Sequence, residues 1–152
     1  MSEELSFVPA TELARMIREK TVSPVEVMRG TIARAEALNP RLNAICTPTF
    51  DAAMKAAAEA EEAVMRGRPL GMLHGVPTSI KDLAFTRGVR TMAGSHIHRD
   101  RIPDFDHVHV ERLRNAGAIS IGKTTVSDFG WSGVSSSPLS MRSRCDQTIS
   151  KP

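Results

Sequence analysis

Apolar residues recur at helical spacing in the first third of the chain. Leu13, Met16 and Ile17 lie three to four positions apart, which predicts a short amphipathic helix. The pair Ser23-Pro24 then supplies an N-cap and a first-turn proline, and the apolar stripe that follows predicts a second helix. Because a proline disfavours helical backbone in the residue before it, this helix is predicted to end at Asn39-Pro40.

Two further helices are predicted downstream. The alanine-rich run 51–66 begins with Asp51, whose carboxylate can cap it, and is followed by Gly67, which predicts its end. A fourth helix is predicted to be capped by Asp106 and to end at Gly117. Its inward-facing residues are predicted to be Val108, Val110 and Leu113.

Three short apolar runs, 42–47, 76–80 and 118–121, predict β-strands. The last two are separated by the fourth predicted helix, and a strand-helix-strand order requires a crossover connection. The segment 85–97 contains glycines and has no helical period, which predicts an ordered loop. The sequence therefore predicts the α/β class, with a sheet that is at least partly parallel.

Composition narrows the class of protein. The chain has 152 residues, 41% of them hydrophobic, which suffices for one compact domain. Its net charge of +3 arises from scattered basic residues mixed with acidic ones, and only 4% of residues are aromatic, which argues against a nucleic-acid surface. Because Cys46 and Cys145 are isolated and the acidic N-terminus lacks an apolar signal, a cytoplasmic protein without a membrane span is expected.

The segment from Leu70 to Asp82 concentrates the candidate chemistry. Its glycines and Pro77 permit an unusual backbone path, and the predicted strand 76–80 brings Lys81 to its end. A lysine that leaves an apolar run is a candidate for burial, and a desolvated amine can accept a proton near neutral pH. Lys81 is therefore a candidate general base, although most lysines at strand ends point into water.

The run 117–124 matches the phosphate-loop pattern G-x-x-x-x-G-K-[ST]. That motif binds nucleotide phosphates only as a loop between a strand and a following helix. In this sequence a helix is predicted before the run, and its interior Ala-Ile-Ser-Ile predicts the strand itself. Nucleotide binding through these residues is therefore the less favoured alternative function.

Two histidine pairs, His96 with His98 and His107 with His109, have the spacing of metal ligands on a strand. The first pair falls in the predicted loop. The second falls at a helix N-terminus, where positions two apart diverge by about 200°. Surface or capping roles are favoured, and no metal site is expected.

Four runs follow one another along the chain in a distinctive order. They are Ala35-x-x-Leu38-Asn39-Pro40-x-Leu42-Asn43-Ala44, Gly71-x-x-x-Gly75-Val76-Pro77-x-x-Ile80-Lys81-Asp82, Gly88-x-x-Thr91-x-x-Gly94-Ser95, and Arg112-Leu113-x-x-Ala116-Gly117-Ala118-x-x-x-Gly122-Lys123-Thr124 with Asp128-Phe129. Together they closely resemble the N-terminal part of the amidase signature family. The resemblance extends from about Leu13 to Leu139.

This resemblance implies the N-terminal, incomplete portion of the amidase signature fold, with helices packed on a mixed β-sheet. It implies hydrolysis of a small-molecule amide to an acid plus an amine or ammonia by a Ser/cis-Ser/Lys triad, without metal or cofactor. Lys81 stands at the position of the catalytic lysine, which takes a proton through the bridging serine while that serine deprotonates the nucleophile. A homo-oligomer is compatible with this interpretation.

The resemblance also assigns the loop 128–138 to the wall of the acyl pocket. Its candidate substrate-binding residues are Gly130, Trp131, Ser132, Ser135 and Ser136. A simple surface turn is an equally acceptable interpretation of the same residues.

The similarity stops abruptly at about Ser140. The family continues with a Gly-Gly-Ser-Ser-Gly-Gly run that carries the bridging serine, and this run is absent from the sequence. Residues 1–139 are therefore interpreted as the N-terminal part of an amidase domain, and 140–152 as a divergent, disordered tail that follows a frameshift, an early stop or a truncation. The chain alone is expected to be inactive, and a non-catalytic remnant or interaction module is the alternative.

Overall fold

The computed structural model of the chain describes residues 5–133. In chain order its elements are α1 (Ala10–Arg18), α2 (Pro24–Leu42), β1 (Ile45–Pro48), α3 (Phe50–Met65), β2 (Pro77–Lys81), α4 (Val108–Asn115) and β3 (Ile119–Thr124), with short 3-10 turns at His96–His98 and Asp128–Gly130. The predicted tail 140–152 lies outside the described residues. Among residues 5–133, none of the helices combines the length and the apolar character of a membrane span.

The predicted start of α2 is confirmed. Oγ of Ser23 accepts hydrogen bonds from the backbone N–H groups of Val25 at 3.0 Å and Glu26 at 3.3 Å. These bonds satisfy two donors that the first turn of a helix leaves without a partner. Pro24 occupies the first helical position, where its missing N–H costs nothing.

The predicted end of α2 at Asn39-Pro40 is wrong, because the helix continues to Leu42. The side chain of Asn39 accepts a hydrogen bond from the N–H of Ile45 at 2.8 Å and donates to its carbonyl oxygen at 3.0 Å. Asn43 then adopts a left-handed conformation with φ 51° and turns the chain. The tertiary bonds of Asn39 therefore stabilise a last turn that the proline alone disfavours.

The third predicted helix is confirmed with a shifted start. α3 begins at Phe50 with Thr49 at the N-cap position, so Asp51 lies in the first turn instead of capping the helix. An acidic residue there still interacts favourably with the helix dipole. Gly67 follows the helix with φ 64°, which fits its predicted role in the termination.

The fourth predicted helix begins later than expected, at Val108. The carboxylate of Asp106 instead accepts a hydrogen bond from the N–H of Arg87 at 2.7 Å. Val110 is buried as predicted, whereas Val108 is 61% exposed. The prediction that Val108 faces inward is therefore wrong. Val108 is the first residue of this short helix, and its side chain is open to solvent.

The three strands form a small mixed sheet with the order β1-β3-β2. β2 and β3 run parallel, because Ile119 donates to the carbonyl of Val76 and, further along both strands, Asp82 donates to that of Thr124. β1 is antiparallel to β3, and its register pairs Ile45 with Thr124, Thr47 with Lys123 and Pro48 with Gly122. The predicted α/β class and the partly parallel sheet are confirmed.

Packing divides the described residues into two compact units. The first unit contains residues 5–35, 49–78 and 111–121, and the second contains 36–48, 79–110 and 122–133. A buried aliphatic cluster holds the first unit: Leu13, Ala14, Ile17, Val22, Val27, Val64 and Val76. The buried polar side chains of the described residues all belong to the second unit: Asp82, Thr86, Thr91, Ser95, Lys123, Thr125 and Ser127.

Candidate active site

Lys81 is the last residue of β2, and its side chain is exposed. Neighbouring residues of a strand point to opposite faces, so the burial of Ile80 leaves Lys81 on the outer face. The described residues therefore do not bury Lys81, which was a candidate for burial. Its position at the carboxyl end of a strand, by contrast, agrees with the sequence prediction.

Asp82, the residue after Lys81, forms hydrogen bonds through both its backbone and its side chain. Asp82 donates its N–H to the carbonyl of Thr124 at 2.9 Å, and its own carbonyl accepts from the N–H of Ala93 at 3.1 Å. Both carboxylate oxygens of Asp82 accept from the N–H of Met92, at 3.2 and 3.1 Å. Burial raises the pKa of this carboxyl group, and the Met92 N–H and the Lys123 charge oppose that effect.

Lys123 in β3 is the buried lysine of this region, with 0% of its surface exposed. Its Nζ donates to the carbonyl oxygen of Ala84 and to the hydroxyl oxygens of Thr86 at 2.9 Å and Thr91 at 3.1 Å. Burial lowers the pKa of Lys123 to about 8, and the negative charge of Asp82 opposes that shift. An ammonium group has three protons to donate, and each of them has an acceptor here.

Residues 117–124 do not form a phosphate loop. Ile119–Thr124 is a strand, and the Lys123 amine is committed to protein acceptors. Gly122 is needed because a side chain there would meet the neighbouring strand: a Cβ atom would lie 2.5 Å from the carbonyl oxygen of Thr47. The run therefore lacks the free backbone N–H groups and the free lysine that phosphate binding requires.

Sequence reasoning missed the structural role of Lys123 because the phosphate-loop match drew attention to a different chemistry. A signal was nevertheless present. Ile119, Ile121 and Lys123 occupy alternate positions and therefore share one face of β3, and all three are buried. A lysine on the apolar face of a strand indicates a buried polar site.

The predicted substrate loop forms a compact turn as far as it is described. Oγ of Ser127 accepts from the N–H of Ser132 at 3.1 Å and donates to its carbonyl oxygen at 2.9 Å. Between them, Phe129 and Gly130 adopt positive φ values of 50° and 72°. The Trp131 side chain is 84% exposed at the surface of this turn. Ser135 and Ser136 lie outside the described residues.

This turn lies beside the segment that follows Lys81. Phe129 donates its N–H to the carbonyl of Ala93 at 2.8 Å, and Ala93 in turn bonds Asp82. Gly130 also lies against Leu83, since a Cβ atom on this glycine would approach Leu83 Cδ2 to 2.9 Å. The structure therefore brings the predicted loop next to the chain segment that carries the candidate base.

Three histidines of the two pairs, His98, His107 and His109, take part in aromatic contacts. His98 lies edge-on to Phe129, with ring centroids 5.6 Å apart, and His107 lies 4.6 Å from the ring of Phe85. Within residues 5–133, no group of three or more His, Cys, Asp or Glu side chains is arranged to hold a metal ion. Packing accounts for the contacts of these histidines.

Solved structures define the class of protein to which this fold belongs. A bacterial aryl acylamidase of the amidase signature family superimposes with a TM-score of 0.80 and 30% identity, covering 85% of this chain and 27% of that one. Fatty acid amide hydrolase superimposes with a TM-score of 0.88 at 24% identity, covering 93% of this chain and 25% of that one, and shows the fold alone. The fold is that of the amidase signature enzymes.

Sequence comparisons indicate the same class of protein as the solved structures. The Amidase family profile matches residues 26–146, and the chain therefore belongs to the amidase signature family. It is 40% identical over 126 residues to a glutamyl-tRNA(Gln) amidotransferase subunit from Carboxydothermus hydrogenoformans, covering 83% of this chain and 26% of that protein. It is 37% identical over 131 residues to the putative amidase AmiD of Mycobacterium bovis, covering 86% and 28%. The chain spans about a quarter of the length of these relatives.

Proposed function

We propose that the complete protein hydrolyses a carboxylic amide to an acid plus an amine or ammonia, with Lys81 as the general base of a Ser/cis-Ser/Lys triad. The observation that carries this proposal is membership of the amidase signature family across residues 26–146, a range that includes the Lys81 motif. The alternative of nucleotide binding loses its support, because residues 119–124 form a strand.

Lys81 would act as a base only in its neutral form, which requires that water be excluded from its amine. Its exposed side chain at the end of β2 leaves it open to a covering element. In the proposed mechanism the amine takes a proton from the bridging serine, and that serine deprotonates the nucleophilic serine. The nucleophile attacks the amide carbonyl, backbone N–H groups stabilise the oxyanion, and water releases the acid from the acyl-enzyme.

The turn at 128–132 is proposed to contribute the wall of the acyl pocket. Gly130 and Ser132 would present small surfaces to the substrate, and the exposed Trp131 ring would offer an apolar one. Ser135 and Ser136 belong to the same proposed wall. The proximity of the turn to Leu83, two residues after Lys81, supports this assignment.

The substrate is proposed to be a small-molecule amide, and the protein to be cytoplasmic. The two cysteines lie far apart in the sequence and form no CxxC motif, which fits a reducing compartment. Relatives named as amidotransferase subunits belong to the same family, so assembly with another chain or with a second copy fits the proposal.

Co-expression provides the test. The 152-residue chain is produced together with the C-terminal three quarters of the aryl acylamidase, and hydrolysis of a chromogenic anilide is measured. Restored hydrolysis is expected, and Lys81→Met is expected to reduce kcat by roughly 10²–10⁴-fold. Lys55→Met, a change at an exposed lysine of α3, is the matched control.

Two outcomes would contradict the proposal. One is a co-purified complex that hydrolyses no amide, and the other is a Lys81→Met complex as active as the control. The 152-residue chain assayed by itself is expected to be inactive, because its sequence contains no Gly-Gly-Ser-Ser-Gly-Gly run to supply the bridging serine.

A further inference from the structure

A buried ammonium group in this protein has no role in the proposed proton transfer. Lys123 is completely enclosed, and burying a charged group without partners costs several kcal/mol. Such a group persists in a fold only when the surrounding structure compensates for that cost. Its partners therefore indicate what it stabilises.

All three acceptors of Lys123 lie in the chain segment that leaves β2 immediately after Lys81. They are the Ala84 carbonyl oxygen and the hydroxyl oxygens of Thr86 and Thr91. Each hydroxyl also donates its own proton to a backbone carbonyl, Thr86 to Ala84 at 3.2 Å and Thr91 to Val89 at 3.0 Å. Because the hydroxyl protons are committed in this way, the two oxygens can only accept from Nζ, and an ammonium group has a proton for each of the three acceptors.

Asp82 also interacts with Lys123, through its charge. Its carboxylate provides a nearby negative charge that favours the ammonium form, and it accepts twice from the Met92 N–H. Its backbone is bonded to Thr124, the residue after Lys123. The residue that follows Lys81 is thus attached to the strand that carries the buried lysine.

We propose that Lys123 is a positioning residue for Lys81. Its buried ammonium ties residues 84–91 to β3, and with Asp82 it fixes the backbone from which the exposed Lys81 side chain projects. This inference rests on the proposed function, since it assigns the chemistry to Lys81. Catalysis is sensitive to such placement, because an error of about 1 Å in a reacting group can cost roughly 100-fold in rate.

The first experiment measures hydrogen exchange in the 152-residue chain. Lys123→Met is expected to accelerate exchange of the Asp82, Met92 and Ala93 amides about tenfold or more, while amides of α1 keep their rates. Lys55→Met is the control and is expected to change neither set. Unchanged exchange of the Asp82, Met92 and Ala93 amides would overturn the proposal.

A second variant covers the case in which Lys123→Met does not fold. Thr91→Val removes one acceptor and preserves the volume of the side chain, so exchange of the same three amides is expected to accelerate by a smaller factor. Thr11→Val, at an exposed position of α1, is its control. Equal exchange in Thr91→Val and the wild-type chain would then overturn the proposal.

The second experiment measures turnover in the co-expressed complex. Active sites are counted with a serine-directed fluorophosphonate, so that a loss of folded protein does not register as a loss of kcat. Lys123→Met is expected to lower kcat per labelled site roughly 10–100-fold with KM changed less than about twofold. A purely structural role would lower the number of labelled sites and leave kcat per site unchanged.

The experiments can contradict the proposed function and the positioning role of Lys123 independently of each other. A complex that hydrolyses no amide contradicts the proposed function. The hydrogen-exchange experiment then still tests whether Lys123 ties residues 84–91 to β3. If the complex is active and loses activity on Lys81→Met but keeps its kcat per site on Lys123→Met, the positioning role is overturned and the proposed function stands.

Discussion

The two compact units of this protein bury different chemistry. In the first unit a cluster of Leu, Ile, Val and Ala side chains excludes water, whereas the second unit also encloses Asp82, Lys123 and several hydroxyl groups. Apolar contacts are non-directional, while hydrogen bonds require defined distances and angles. The core of the first unit is therefore formed by side chains that need no hydrogen-bond partners. The hydrogen bonds of the second unit fix the position of its backbone, and the proposed base, Lys81, projects from that backbone.

The largest expected effect concerns the aliphatic core. Ile17 is 1% exposed, so Ile17→Ala is expected to lower the free energy of unfolding by about 4 kcal/mol, through lost burial and a residual cavity. Urea denaturation followed by circular dichroism measures the change. Met65→Ala, at a position that is 67% exposed, is the control and is expected to have little effect. Equal stability of the two variants would contradict the description of the first unit.

A pair of glycines tests the packing of the second unit. Gly94 and Gly88 have φ values of 69° and 74°, but a Cβ atom on Gly94 would lie 2.7 Å from the Val126 carbonyl oxygen, whereas nothing lies within 4 Å of one on Gly88. Gly88→Ala is expected to cost about 1 kcal/mol from backbone strain alone. Gly94→Ala is expected to cost about 3 kcal/mol, because the clash adds to that strain. Thermal and urea unfolding compare the two, and equal losses would show that the close approach at Gly94 does not matter.

The buried amine makes stability depend on pH. Between about pH 8, its folded pKa, and its ordinary value of 10.5, Lys123 binds more protons in the unfolded state than in the folded one, so stability rises with pH. Raising the pH from 8 to 9 is therefore expected to increase the free energy of unfolding by up to about 1 kcal/mol. Above pH 9 the effect of Cys46 is opposite, because burial raises the pKa of its thiol to about 11.

Urea denaturation at pH 8.0, 8.5 and 9.0 measures this dependence. In Lys123→Met the rise is expected to disappear, since the titrating amine is gone. A rise of the same size in that variant would assign the pH dependence to another group.

The smallest expected effect lies on the surface of the first unit. Arg15 forms ion pairs with Glu12 at 2.6 Å and with Glu19, and these contacts raise the pKa of the guanidinium and lower that of Glu12. Water and salt screen such exposed pairs, so Arg15→Gln is expected to leave the melting temperature unchanged within the error of replicate scans. A clear decrease would show that surface charge contributes to the stability of the aliphatic unit.

Much of the architecture could be predicted from local pattern. The cap at Ser23, the existence of the third helix and the strand that ends at Lys81 follow from spacing and turn chemistry, and the structure confirms them. The third helix, predicted over 51–66, lies at Phe50–Met65. The exit of α2 could not be predicted in this way. Its last turn depends on bonds from Asn39 to Ile45, which form only when β1 is in place.

The sequence by itself determined the α/β class, the family and the position of Lys81 in the chain, because these depend on residue types at fixed spacing. Only the tertiary structure decided that Lys123 is buried and Lys81 is exposed. Lys123 is enclosed because Ala84, Thr86 and Thr91 converge on it from a distant segment, while Lys81 follows a buried Ile80 and points outward. The burial of a side chain depends on which residues pack against it. Residues from distant segments pack against it only when the chain folds.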